Sequence, residues 1–131
     1  MAIAPAALKQ AAGCLRAYTG LDGCYTALRF RMMLLIVVRI DANDNILPLA
    51  WALVPTENTE WWLWFMRFLR AEFPIFKSQN YVFVSDREKG ILEAISTVFL
   101  EALAAHCCQH IADNVQSKYG LAARKAFWKV A

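Results

Sequence analysis

The sequence has no apolar run approaching the roughly 20 residues that a membrane-crossing helix requires; its main charge-free apolar runs, Met32 to Val38 and Ile46 to Thr56, have the length of core strands. A basic n-region is missing from the start of the chain, Pro5 interrupts the segment from Met1 to Leu8 and Lys9-Gln10 closes it, so no secretory leader is expected. Cysteine is scarce and poorly spaced for a scaffold: Cys107 and Cys108 are adjacent, and Cys14 and Cys24 stand apart. This argues against a disulfide framework and for reduced thiols in an intracellular protein. There is no internal repeat and no low-complexity segment. Acidic residues are absent from Lys118 onward, where four basic residues fall on a helical pattern. A solvated helix face accounts for them more readily than contact with nucleic acid. What remains is 131 residues, 59% hydrophobic, with a mild net charge of +3. That is enough for one domain with a substantial core and too little for two.

The chain is organised around residues 81–88. Tyr81-Val82-Phe83-Val84 is β-branched or aromatic throughout, which reads as a buried, parallel strand. Ser85 and Glu88 have the S-x-x-E spacing of a capping box, predicting a helix continued by Ile91, Leu92, Ile95, Val98 and Phe99. Asp86 then lies at the carboxyl end of a central strand, the edge of an open α/β sheet where ligands bind. An acid there also complements the N-terminus of the following helix, and by itself the stretch favours that plainer role.

Upstream, residues 1–13 are alanine-rich and weakly helical, and a β-like passage leads from Cys14 to Asp22. Asp22-Gly23 is a common hairpin dipeptide, and a two-residue turn is its simplest reading. The runs from Met32 and from Ile46 are predicted to form a hairpin closed by Asp41-Ala42-Asn43-Asp44-Asn45, with Pro48 placing the second strand at an edge or a bulge. A helix is predicted from Glu57 to Arg70, with Glu57 and Glu60 in its first turn and Arg67 and Arg70 in its last. Its core face is predicted at Trp61, Trp64, Phe65, Phe68 and Leu69, widened by Trp62 and Met66. Ala102 to Ala105 fits a second parallel strand, Ile111, Val115 and Tyr119 a helix ending at Gly120, and Leu121 to Val130 a last basic helix. Strands in a meander followed by strand–helix units suggest a mixed sheet covered by helices.

Two candidate sites follow from residue chemistry. Asp22 and Asp86 become neighbours if the Asp22 strand is central in the meander and the Asp86 strand joins it in parallel. Paired carboxylates suit Mg²⁺ or Mn²⁺, hard ions that prefer oxygen ligands, and such ions serve phosphoryl transfer. Cys107-x-x-His110 has the spacing of half a Zn²⁺ site; His106, Cys108, Cys14 and Cys24 complete it only if the fold gathers them. Buried cysteines are common without metal, so partial or absent zinc is the expectation.

A set of short motifs goes further. Leu21-Asp22-Gly23, Leu34-Leu35, Asp41-Ala42-Asn43, Ile46-Leu47-Pro48-Leu49-Ala50, Glu57 with Trp61 to Phe65, Ser85-Asp86-Arg87 and Cys107-x-x-His110-x-x-x-Asn114 resemble, in order and spacing, the transposase domain of Mutator-like elements (MULE), and fungal members most. The resemblance covers about residues 21–120 of a single domain spanning 1–131. It implies an α/β, ribonuclease H-like fold: a mixed five-stranded sheet with flanking helices and, counting from the Asp22 strand, spatial order 3-2-1-4-5. It also implies metal-dependent DNA cleavage and strand transfer in the nucleus, with transposon-end DNA as partner, Mg²⁺ or Mn²⁺ as cofactor, and room for a homo-oligomer. Carried over by position, Asp22 is the first catalytic acid and Asp86 the second. The family's third acid lies further downstream than Ala131, so the expected layer is C-terminally truncated and inactive unless Glu88, Glu93, Glu101 or Asp113 substitutes. The alternative expectation is a domesticated, non-catalytic domain acting in DNA or protein interaction.

Overall fold

The computed structural model describes residues 1–27, 31–77 and 81–131. Its strands are β1 (Ala2–Ile3), β2 (Tyr18–Tyr25), β3 (Met33–Ile40), β4 (Ile46–Val54), β5 (Val82–Ser85) and β6 (Leu103–His106). They form one six-stranded sheet in the order β1-β4-β3-β2-β5-β6. β2, β3 and β4 are an antiparallel meander, whereas β5 joins β2 in parallel and β6 joins β5 in parallel. Counted from the Asp22 strand, this is the expected 3-2-1-4-5 order. The added strand is the two-residue β1, in the segment expected to be only weakly helical, which pairs with Trp51 and Ala52 at the far edge. The helix of that segment is α1 (Ala6–Ala11).

Local chemistry sets each element. β3 alternates, with Met33, Leu35 and Val37 buried and the residues between them half-buried. The alternation carries Arg39 inward as well, at 5% exposure. Its guanidinium donates to the carbonyls of Ala12, Leu15 and Arg16, closing the 3₁₀ turn Ala12–Cys14, and burial lowers its pKa. At the β3–β4 turn, the Asp41 carboxylate accepts from the amides of Asn43 and Asn45 and from the Asn45 side chain, while Asp44 takes φ of 67°. Pro48 pairs with Val38 where the register shifts, and the short β1 leaves that part of β4 as an edge. Both outcomes expected of the proline are therefore present.

The main covering helices are α2 (Thr59–Glu72) and α3 (Lys89–Val98), which pack on each other. Helix α2 starts two residues later than expected, because Asn58 is the residue that caps it, accepting from the Trp61 amide at 2.9 Å. Glu57 therefore stands outside the helix. The buried face is also rotated: Trp62, Phe65, Met66 and Leu69 are fully buried, whereas Trp64 is 37% exposed and Trp61 and Phe68 are half-buried. Spacing at i, i+3, i+4 and i+7 fits either stripe, and packing against the sheet selects this one. The capping box is likewise corrected. Ser85 is the last residue of β5 and its hydroxyl donates to the Asp86 carbonyl, while Glu88 itself caps α3 by accepting from the Ile91 amide. Strand β5 runs one residue further than the reading of 81–84 allowed, so its exit turn uses Asp86 and the cap falls three residues later.

The Asp22-Gly23 hairpin reading is overturned as well. β2 continues unbroken through both residues to Tyr25, paired along its length with β3. Beyond β6, α4 (Cys108–Tyr119) ends at Gly120, whose φ of 84° suits glycine, and α5 (Leu121–Phe127) follows. Leu103 on the edge strand, Tyr119, Leu121, Trp128 and Val130 remain exposed.

The centre of the core is aromatic. Phe83 on β5 contacts Phe76, Tyr81 and Phe99, the last with ring centroids 4.8 Å apart. Phe83→Ala should cost about 3–5 kcal/mol, since a fully buried ring is replaced by a cavity. Urea unfolding measures this, and a loss below about 1 kcal/mol would contradict the packing described.

Candidate metal centre

The parallel ladder between β2 and β5 pairs Tyr18 with Val82, Thr19 with Phe83 and Gly20 with Val84. Continued by two residues, the same register sets Asp22, inside β2, beside Asp86, the residue that follows β5. Each aspartate is braced in the same way. Asp22 Oδ1 accepts from the Gly23 amide at 2.9 Å and Asp86 Oδ1 from the Glu88 amide at 2.9 Å. Among the described residues, the Oδ2 atom of each takes no hydrogen bond. Two carboxylates held by their own backbone, each with one oxygen open, form a donor set of the kind a hard, hydrated dication uses.

The next ladder brings the third motif to this edge. β6 pairs with β5 up to Ser85 and His106, and the Cys107 amide donates to the Ser85 carbonyl at 2.7 Å. Cys107 is the residue before α4, so its backbone docks that helix onto the end of β5. His110, one turn into α4, lies with Nε2 3.9 Å from Asp22 Oδ1. Cys107-x-x-His110 thus delivers its histidine to the first aspartate. Among the described residues, no three His, Cys, Asp or Glu side chains converge as a metal-holding group, for zinc or for any other ion. Cys14, Cys24 and Cys108 are exposed free thiols. In front of Asp86 an open cavity of about 560 Å³ is lined by Asp86, Arg87, Glu88, His110, Asp113 and Asn114.

Of the acids considered as substitutes for a third ligand, Asp113 pairs with Arg124 at 3.1 Å, Glu93 accepts from Thr59, and Glu101 lines a different cavity with Arg70 and Tyr81. Glu88 is close but occupied as the α3 cap. The acid that sequence reasoning missed is Glu57. Assigned to the first turn of a helix, it instead hangs over β2: a Cβ on Gly23 would lie 2.7 Å from Glu57 Oε1. Its Oε1 accepts from the indole of buried Trp62 at 3.1 Å. Gly90 permits the same closeness on the other side, since a Cβ there would meet Glu88 Oε2 at 2.8 Å and the Thr59 amide at 2.9 Å. The starts of α2 and α3 therefore converge on the Asp22–Asp86 edge. The available signal was Asn58 as a strong N-cap, which excludes Glu57 from the helix.

Burial raises the Glu57 carboxyl above its usual range; the Trp62 indole opposes this, and the charges of Glu88, Asp86 and Asp22 push it up further. The edge is thus a concentration of negative charge, which a dication would relieve.

An α/β domain with a mixed sheet and an acidic cluster where β5 leaves its ladder with β2 is the class these features define. The chain belongs to the MULE transposase domain family, whose model matches residues 18–114. No curated protein matches. Among solved structures, the chain is similar to one described as the Mos1 transposase catalytic domain with Raltegravir and Mn, at 16% identity and a TM-score of 0.49. That similarity covers 91% of this chain and 64% of the Mos1 chain, so the protein spans under two thirds of the length of the structure it matches. Among the described residues, no helix is long and apolar enough to cross a membrane.

A pH dependence follows from Glu57. The folded state holds its proton more tightly than the unfolded chain, so this group's contribution makes stability fall as pH rises from the ordinary carboxyl range through the raised value. In metal-free buffer, Glu57→Gln should remove this contribution, so the variant's melting temperature rises relative to wild type as pH increases above the ordinary carboxyl range. Parallel wild-type and variant profiles would contradict the placement of the charge.

Proposed function

We propose that this domain is the metal-binding core of a DNA transposase, in which Asp22 and Asp86 hold Mg²⁺ or Mn²⁺ against the phosphate backbone of transposon-end DNA in the nucleus. The observation that supports this most is the register that sets Asp22 beside Asp86, each with one oxygen braced and one open. When bound, such an ion polarises a phosphoryl oxygen and lowers the pKa of a water or hydroxyl. The chain's own residues orient: Gly23 and Glu88 amides fix the two carboxylates, and His110 stands beside Asp22 at the cavity. Zinc at Cys107 and His110 is the less favoured reading, because His110 faces Asp22 and no further ligand joins the pair among the described residues.

Two carboxylates supply few of the six oxygens that Mg²⁺ takes, so water completes the shell and affinity is low. Two-metal phosphoryl transfer needs a second ion, and the described acids do not converge to hold one. The chain tested by itself is therefore slow, by on the order of a thousandfold or more against a complete centre. The exposed Leu103, Tyr119, Leu121, Trp128 and Val130 favour, as a second reading, a non-catalytic role in protein contact or self-association.

Calorimetric titration should show Mn²⁺ binding more tightly than Mg²⁺, with Asp86→Asn removing most of the binding. Equal binding by wild type and variant would sink the assignment. In a Mn²⁺ nicking assay on plasmid DNA only trace cleavage is expected; rapid cleavage abolished by Asp22→Asn would refute the slow turnover.

A further inference from the structure

We propose that Glu57 is a positioning residue of this metal centre, accepting hydrogen bonds from the water shell of the ion that Asp22 and Asp86 hold. The inference rests on the metal reading of that edge and adds a residue to it. Three observations carry it. The carboxylate is fixed from behind, where the fully buried Trp62 donates to Oε1 at 3.1 Å. It also lies close over the strand: Oε1, Cδ and Oε2 would be 2.7, 3.0 and 3.2 Å from a Cβ on Gly23. Only a glycine lets the carboxylate rest there, on the residue whose amide braces Asp22. Finally, no cation pairs with Glu57 among the described residues, whose ion pairs are Lys9–Glu72, Arg16–Asp44, His110–Asp22 and Arg124–Asp113.

A half-buried carboxylate with no counter-charge lowers stability unless something bound nearby compensates it. An exposed glutamate would turn to solvent, whereas this one is tethered toward the edge by a buried indole. Among the described residues no three acids or histidines form a metal-holding group, so the role assigned to Glu57 is that of an outer-shell acceptor and not of a direct ligand. Mg²⁺ and Mn²⁺ keep several waters when few carboxylates bind them, so an oriented acceptor beside the shell fixes where the ion sits.

The test is Mn²⁺ binding to the full chain, followed by calorimetry and by the relaxation of water protons on the bound ion. Glu57→Gln keeps an oxygen for Trp62 and removes the charge; it should weaken Mn²⁺ binding about tenfold, in the range typical of outer-shell partners, and shift the water relaxation. Gly23→Ala retains the charge but displaces the carboxylate, and should weaken binding several-fold in a protein whose melting curve shows it folded. Glu60→Gln, removing an exposed acid from the first turn of α2, should leave binding unchanged. If Glu57→Gln binds Mn²⁺ like wild type while Asp86→Asn does not, the role of Glu57 is overturned and the metal centre stands. If neither variant alters binding, the metal reading itself fails. If Glu57→Gln loses binding as completely as Asp86→Asn, Glu57 is a direct ligand and the outer-shell role is overturned.

Discussion

The parallel pairing of β2 with β5 is the constraint on which the rest of the molecule depends. Only three residue pairs make that ladder, yet it joins the N-terminal meander to the strand–helix units and decides which residues end side by side. A parallel partner cannot be reached by a tight turn and needs a crossover. Here the crossover from β4 to β5 contains α2, which lays Trp62, Phe65, Met66 and Leu69 on the sheet. The crossover from β5 to β6 contains α3, which adds Ile91, Ala94, Ile95 and Val98 to the same core. The burial that holds these helices also holds the register, since a slip of one residue would turn Phe83 out of the core and Asp86 away from Asp22.

That arrangement concentrates negative charge where the fold is most crowded. Helices α2 and α3 begin next to each other because Gly90 lets the first turn of one approach the first residues of the other. Glu57 and Glu88 arrive with them, against Asp22 and Asp86, and Glu57 feels all three neighbours. Stability alone gives no reason for such a grouping, since like charges near a half-buried carboxyl oppose folding at neutral pH. The helix N-termini offset part of this repulsion, with Asn58 and Glu88 satisfying backbone amides there. Local cost at a ligand-binding edge, compensated by an aromatic core a few residues away, is the usual distribution in a functional domain.

The elements themselves were readable because their signals are local. The alternation in β3, the Asp and Asn turn after it, the apolar β5 and the glycine that ends α4 each depend on a few adjacent residues. The misreadings arose where two local signals competed. Asp22-Gly23 carries a turn preference, but pairing with Ile36 and Leu35 of β3 keeps it extended, and Gly23 serves a close approach rather than a turn. Ser85 and Glu88 have the spacing of a capping box, but Ser85 belongs to a strand ladder, which takes precedence over the cap. On α2, five tryptophan and phenylalanine residues offered more than one apolar face, and the shape of the sheet chose among them.

Pattern by itself indicated a mixed sheet covered by helices, and the resemblance of the motifs implied the order of its strands and Asp22 and Asp86 as the acids to watch. Tertiary structure decided which other groups join them. His110 reaches Asp22 because the Cys107 amide docks α4 on the end of β5, and Glu57 reaches Gly23 because Trp62 is buried beneath it. Those contacts link residues 34 to 88 positions apart. No periodicity or capping preference extends that far along a chain; only the packing of helices on a shared sheet can bring such residues within reach.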